Sequence, residues 1–275
     1  MRKGRIKKTV SAIIAVFVVL YSIIALRVAF IDRIAPPAQG PLTDIETLVI
    51  FGASGTAGDG ILKAVLTSTD IDDIRVFTRR LTPRMEAGIA AGRVDATIHM
   101  DYLDYSAIRN AIVNADAVFW AIGLSSLGVD EDTYRRIHVD FPVAFVKEWL
   151  AVSERDAISF HYLSSSDISE DSSAMWARVK VEAENALFAL AGDSKLDVIA
   201  YRPDYIGPTT EEAHLGQQFL YGFFRPLGAA VRAIEIGNSM LEVAARADDY
   251  NNGDKVGTFG IVRLSNAFDE RLESN

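Results

Sequence analysis

The sequence predicts an α/β fold: a doubly wound parallel sheet with a small carboxyl-terminal substrate subdomain, preceded by one transmembrane helix. Three observations predict it. Short apolar runs of strand length alternate with helical patterns through most of the 275 residues. A glycine-rich turn joins the first of these runs to the first of these helices. An uncharged, almost wholly apolar segment, Thr9 to Leu26, stands ahead of both.

In chain order, residues 1–31 read as a membrane anchor meeting the lipid bilayer through residues 9–31. Thr9 to Leu26 continues into Val28 to Ile31, long enough to span, with Arg27 able to snorkel to the interface. A cleaved signal peptide, with its shorter apolar region, and a buried soluble helix are the rival readings. Five basic residues precede the span, which by the positive-inside rule holds the amino terminus in the cytoplasm and sends the body across. A dinucleotide site in the body argues the other way, so the side of the membrane stays open. Residues 32–45 hold three prolines and a glycine without periodicity and read as a linker.

Composition narrows the chemistry. With no cysteine, a disulfide scaffold, a thiolate nucleophile and a cysteine metal site are excluded. His99, His138, His161 and His214 are too scattered for a local metal motif, and no metal is expected. The net charge is −9, but residues 1–33 carry +6, which leaves −15 on the remainder. An acidic body does not suit nucleic acid, which needs a positive face.

Residues 46–203 read as a dinucleotide-binding, Rossmann-like domain. Glu46 to Phe51 is a strand that runs into Gly52-Ala53-Ser54-Gly55-Thr56-Ala57-Gly58 and then a helix with Ile61, Leu62, Val65 and Leu66 on one face. Gly52 permits the tight turn, Gly55 lets backbone amides approach a pyrophosphate, and Gly58 lets the helix pack close. Ile74 to Thr78 is the second strand and ends in Arg79-Arg80, where an NAD site would put an acid against the ribose. Two arginines suit a 2′-phosphate, so NADP(H) is favoured over NAD(H). Ala96 to Met100 ends in Asp101, placed for the adenine edge, and Ala117 to Ala121 ends in Ile122-Gly123 beside the cofactor. Helices are predicted at 104–114 and 131–152, a fifth strand at Ile158 to Leu163 and a sixth at Leu196 to Ala200.

After the fifth strand come Ser164-Ser165-Ser166, then Trp176 and, four residues on, Lys180. Here the chain resembles the short-chain dehydrogenase/reductase superfamily, and within it the atypical Tat-interacting-protein-like and NmrA-like NADP-binding oxidoreductases. The residues that carry the resemblance are GASGTAG (52–58), TRR (78–80), Met100-Asp101-Tyr102, Ala121-Ile122-Gly123, LSSS (163–166), WARVKVEAE (176–184), Tyr201-Arg202-Pro203 and LSNAF (264–268). The resemblance implies that Ser164 or Ser165 holds the substrate oxygen, that Lys180 bonds the nicotinamide ribose, and that Pro203 lies beside the nicotinamide ring. It also implies a tyrosine at position 176. Trp176 stands there instead, and an indole N–H does not titrate usefully. Tyr205, His161 and Tyr162 are the candidate replacement acids.

Residues 204–275 read as the small substrate-covering subdomain that completes the fold. Phe219, Leu220, Tyr221, Phe223 and Phe224 cluster within residues 215–231, as a packed subdomain or an apolar lid. A helix is predicted at 237–246, a last strand at Phe259 to Val262, and a frayed acidic tail. The expected function is reduction of a small apolar carbonyl compound by NADPH. The alternative is a non-catalytic NADPH sensor or scaffold with a protein partner.

Overall fold

The computed structural model describes residues 2–32, 42–69, 71–192, 194–209 and 214–274. The chain opens with α1 (Arg2–Ile31). There follow β1 (Thr47–Phe51), α2 (Thr56–Thr67), β2 (Asp73–Thr78), α3 (Pro83–Ala90), β3 (Asp95–Ile98), the short α4 (Arg109–Ile112) and β4 (Ala117–Trp120). Next come α5 (Glu131–Arg135), α6 (Phe141–Val152), β5 (Ile158–Leu163), α7 (Met175–Ala191) and β6 (Leu196–Arg202). The last third holds β7 (Tyr205–Gly207), α8 (Leu215–Phe224), β8 (Ala230–Arg232), α9 (Ala233–Ala244), β9 (Lys255–Gly257) and α10 (Thr258–Ser274).

Seven strands form one parallel sheet in the order β3-β2-β1-β4-β5-β6-β9. β1, β4 and β5 are buried along their whole length, which is why they read as unbroken apolar runs. Alternate residues of β1 serve opposite faces. Leu48 and Ile50 join the core under α2, α9 and α10, while Val49 and Phe51 join Phe145 and Trp149 on the other side. The α2–α9 crossing is close because it is glycine on alanine: a Cβ on Gly60 would sit 2.3 Å from that of Ala233.

The order 3-2-1-4-5-6 and both helical layers agree with the doubly wound sheet read from the sequence. Some elements differ. No strand forms at 259–262: β9 lies just before it, and one helix, α10, runs on to Ser274 through the tail expected to fray. Ile261, Leu264, Ser265 and Phe268 are all buried, a helical period that outweighs the short apolar run. The third strand stops at Ile98, and the helix expected at 104–114 is a 3₁₀ turn (Ser106–Ile108) followed by α4. The helix expected at 131–152 contains a π-helical turn, Arg136–Asp140, between α5 and α6.

Within 204–275, β7, α8 and β8 stand off the main sheet, whereas α9, β9 and α10 return to it. Of the linker expected at 32–45, residues 33–41 lie outside the described residues, and both ends are pinned. Asn266 Nδ2 donates to the Asp32 carbonyl at 2.8 Å, and Thr43 N–H to the Ala245 carbonyl at 2.7 Å. Residues 9–20 of α1 are exposed on every side. From Tyr21 onward one stripe packs on the body: the Tyr21 hydroxyl donates to the Phe223 carbonyl at 3.1 Å, and Val28 is buried.

Candidate functional site

The crossovers after β1 and β4 leave a crevice beyond the carboxyl ends of these two neighbouring strands. A cavity of about 420 Å³ opens there. Gly52, Ser54 and Gly55 line one side, Thr78, Arg79 and Arg80 another, and Tyr102, Ala121, Ile122, Gly123, Leu124, Ile137 and Phe141 the rest.

The glycines of the turn have separable jobs. Gly52 has φ +83°, and a Cβ on it would sit 2.4 Å from the Ala121 carbonyl carbon. A Cβ on Gly58 would sit 2.1 Å from the Gly52 oxygen. The fold itself demands both. Gly55 is different: its Cβ would meet only the Gly52 oxygen, at 3.5 Å, and it begins α2 without a capping side chain. The space in front of it suits a pyrophosphate drawn to the helix amino terminus. Ala53 and Gly58 are buried behind the turn, Ala57 packs on the core, and Thr56 is exposed.

Arg79 and Arg80 are exposed at the rim. Thr78 fixes their turn, its hydroxyl donating to the Arg80 carbonyl at 2.8 Å. Among the described residues neither guanidinium makes an ion pair. Tyr102 stacks on Phe141 with centroids 5.5 Å apart, and burial raises its phenol pKa while Arg79 opposes the rise. Asp101 is exposed outside the cavity lining, its carboxylate accepting from Leu103 N–H at 3.0 Å.

A second, buried polar group lies between β5, α7 and the π turn. Lys180 Nζ donates to the Leu163 carbonyl at 3.0 Å and to the Tyr162 hydroxyl at 3.4 Å. Burial brings its pKa down to about 7, with Glu184 pulling the other way. Trp176, half-buried, stands four residues before Lys180 on the same face of α7. The Ser164 hydroxyl is buried, with no partner among the described residues, and Ser165 is half-buried. Ser166 N–H donates to the carbonyl of buried Pro203 at 3.0 Å. Buried Glu184 pairs with Arg202 through both carboxylate oxygens and ties α7 to β6.

Two candidate acids are misplaced for catalysis. His161 lies inside β5, fully buried, bonded through its ring nitrogens to the Tyr201 hydroxyl at 2.9 Å and the Ser159 hydroxyl at 3.0 Å. Burial brings its pKa down to about 3, so it stays neutral. Tyr162 is also fully buried, its hydroxyl donating to the His138 carbonyl at 3.1 Å. Adjacent in the strand, the two rings leave opposite faces of the sheet and are buried in its two core layers. Tyr205 is half-buried in β7, its ring 6.2 Å from that of Phe224. Among the described residues no group of histidines and carboxylates is placed to hold a metal ion.

The sequence reading missed His138 and Tyr134. Their rings lie 4.1 Å apart, and burial, with Lys180 adding to it, takes the His138 pKa down to about 2. A Cβ on Gly123 would lie 3.2 Å from His138 Cε1, so the imidazole backs the cavity wall at Gly123. The available signal was Pro142 inside the 131–152 run, since a proline leaves an acceptor unpaired one turn back.

No protein-family model matches the chain. A curated relative, leucinostatins biosynthesis cluster protein T of Purpureocillium lilacinum, is 28% identical over 146 residues, 53% of this chain. The chain spans about half the length of that relative (52%). Among solved structures, a short-chain dehydrogenase/reductase from Serratia marcescens superposes with a TM-score of 0.61 at 18% identity, covering 82% of this chain and 100% of its own. BdcA in complex with NADPH gives 0.59 at 14% identity, with 77% and 92% covered. A UDP-glucuronic acid 4-epimerase from Bacillus cereus in complex with NAD gives 0.58 at 11%, with 77% and 76% covered. The chain therefore has the Rossmann fold shared by short-chain dehydrogenase/reductase structures.

Proposed function

We propose that this chain is a membrane-anchored protein that binds NADP(H) between β1 and β4 and reduces a carbonyl group on a small apolar molecule. The observation that carries the reading is the cavity rim, where two exposed arginines without ion-pair partners face a glycine turn with room before it. Paired guanidiniums suit a 2′-phosphate, and the Gly55 turn suits a pyrophosphate. BdcA, with the same fold, was solved with NADPH. The motif set supports the Tat-interacting-protein-like and NmrA-like branch. The curated relative's name ties that protein to a biosynthesis cluster, which is in keeping with small-molecule chemistry. A 23-residue apolar stretch, Thr9–Ile31, supports the anchor.

When bound, the dinucleotide supplies hydride. This chain's own part is to hold and protonate the substrate. The buried Ser164 hydroxyl, without a partner among the described residues, and Ser165 would bond its oxygen. Tyr102, Ala121, Ile122 and Gly123, which line the cavity, would flank the dinucleotide, with Asp101 just outside the lining and Pro203 the expected neighbour of the nicotinamide. Lys180 would be the proton source in place of the absent tyrosine: its Nζ bonds the Leu163 carbonyl, next to the serines at the end of β5, and burial brings its pKa down to about 7. Tyr205, half-buried in β7, is the alternative acid.

One observation favours a second reading. Trp176 fills the tyrosine position and carries no useful acid, which suits an NADPH-binding sensor without turnover. The deciding experiment uses the full chain in phospholipid nanodiscs. Calorimetry with NADPH and NADH should give NADPH-selective binding, and NADPH oxidation should then be followed with apolar aldehydes and ketones. Selective binding with oxidation supports the reductase. Selective binding without oxidation supports the sensor. Absence of binding removes both.

A further inference from the structure

We propose that α8 is a second membrane-contacting element, immersed in the same bilayer leaflet as the carboxyl-terminal half of α1. The proposal rests on the reading of α1 as a membrane anchor.

α8 is a ten-residue helix, LGQQFLYGFF, with no charged residue and no buried one. Leu215 is 85% exposed and Phe219 72%, and Leu220 and Phe223 are exposed beside them. These four fall on one face of the helix. The opposite face is already used. Tyr221 packs against Gly207, where a Cβ would come within 2.8 Å of its ring, and Phe224 packs against Tyr205. The outward face is therefore apolar by sequence and, among the described residues, covered only where Tyr21 meets Phe223, the arrangement of a helix that lies in a lipid interface.

The length of α1 says what covers that face. Residues 9–20 are solvent-exposed all round the helix, and at 1.5 Å per residue they reach only about 18 Å. The hydrocarbon core is about 30 Å thick. α1 fills it only if the length after Tyr21 is immersed too, and that length is the part packed on the body. Tyr21 touches α8 directly, with its ring centroid 5.8 Å from that of Phe223. Immersing Tyr21 immerses α8. Asp32 directly follows α1 and Arg225 directly follows α8, while Arg27, the one charge within Thr9–Ile31, stands about one turn before that end, within reach of the interface by snorkelling. Asp32 and Arg225 approach to 3.6 Å, and Arg225 also pairs with Glu235 at 3.1 Å. Both apolar helices thus end at one ion cluster, which marks the water boundary.

The test uses the full chain reconstituted in phosphatidylcholine vesicles, with Phe219→Trp as the reporter and Ile98→Trp, on the exposed edge strand β3, as the control. Each is read as the difference from the unsubstituted chain, whose three tryptophans are common to all. The expected result is that the signal from position 219 is quenched by lipids brominated in their acyl chains and spared by aqueous iodide, with the reverse at position 98. Iodide quenching at 219 in vesicles that retain the protein overturns the proposal while leaving the anchor intact. Protection of 219 from both quenchers means that protein covers α8, which also overturns it. Protein that fails to float with the vesicles overturns the anchor reading itself, and this proposal with it.

Discussion

Tyr162 donates its hydroxyl to the His138 carbonyl at 3.1 Å, an acceptor left without its usual helical partner because Pro142, four residues on, has no N–H. The same hydroxyl receives Lys180 Nζ. A proline in one helix thus sets the position of a lysine on another, through a tyrosine in the strand between them. Tyr162→Phe removes both bonds and leaves a buried carbonyl and a buried ammonium short of partners. It should lower stability by about 1–3 kcal/mol, read from the urea midpoint. An unchanged midpoint means that water replaces the hydroxyl.

Lys180 also predicts a pH dependence. Its folded pKa is lowered from 10.5 to about 7, with burial as the first cause. Below that value both states carry the proton and the group contributes no slope. Between about 7 and 10.5 the unfolded chain binds more protons, so stability rises with pH, by at most about 1.4 kcal/mol per pH unit. Lys180→Met should abolish this rise. Parallel pH profiles of unfolding for the two proteins would mean that Lys180 stays charged in the fold.

Gly55 and Gly58 separate cofactor binding from folding. Gly58→Ala drives a methyl into the Gly52 oxygen and should destabilise by about 1–3 kcal/mol or more. Gly55→Ala meets no such obstacle, and its φ of −97° is open to alanine. It should cost no more than about 1 kcal/mol as a helix cap, while weakening NADPH binding at least about tenfold through the lost approach of the phosphates. Thermal melts and calorimetry on the pair check both halves. Gly55→Ala with full affinity removes the phosphate assignment.

Arg79→Ala with Arg80→Ala should weaken NADPH binding at least about tenfold, the effect of one lost charge-assisted hydrogen bond or more. NADH affinity should hardly change, since NADH lacks the 2′-phosphate. Equal losses for both dinucleotides, measured side by side, would remove the NADP preference.

The legible parts of this molecule are those where function and local structure use the same residues. The glycine turn is one: Gly52 and Gly58 are needed by the chain, and their spacing shows it. The interval from Ser164 through Trp176 to Lys180 is another, because strand end and helix face fix it. What escaped depends on distant partners. His138 lies in the π turn Arg136–Asp140, and the sequence signal for that turn is Pro142, two residues past it. Phe259 to Val262 looks like a strand in isolation and becomes helix because Ile261, Leu264 and Phe268 bury one stripe together. The docking of Tyr21 on Phe223 joins residues 202 positions apart, beyond any local period.

Trp176→Tyr decides what the departure at this position means. Tyrosine there would put a phenol one helical turn from Lys180, which bonds the Leu163 carbonyl next to Ser164 at the end of β5. A nearby ammonium favours the phenolate and lowers the phenol pKa. If Lys180 is the working proton source, the unsubstituted chain oxidises NADPH slowly with its substrate, at a rate that falls as pH rises through about 7. The variant should then gain about 10²-fold in kcat, the lower range for a positioned general acid. It should also hold its rate to higher pH, because the phenol stays protonated where Lys180 has lost its proton. A sensor predicts a different pair of results: no oxidation before the change, and oxidation only after it. If neither protein turns over while both bind NADPH tightly, the missing acid is not what silences the site. The reductase reading then fails, and the groove binds its dinucleotide for a purpose other than hydride transfer.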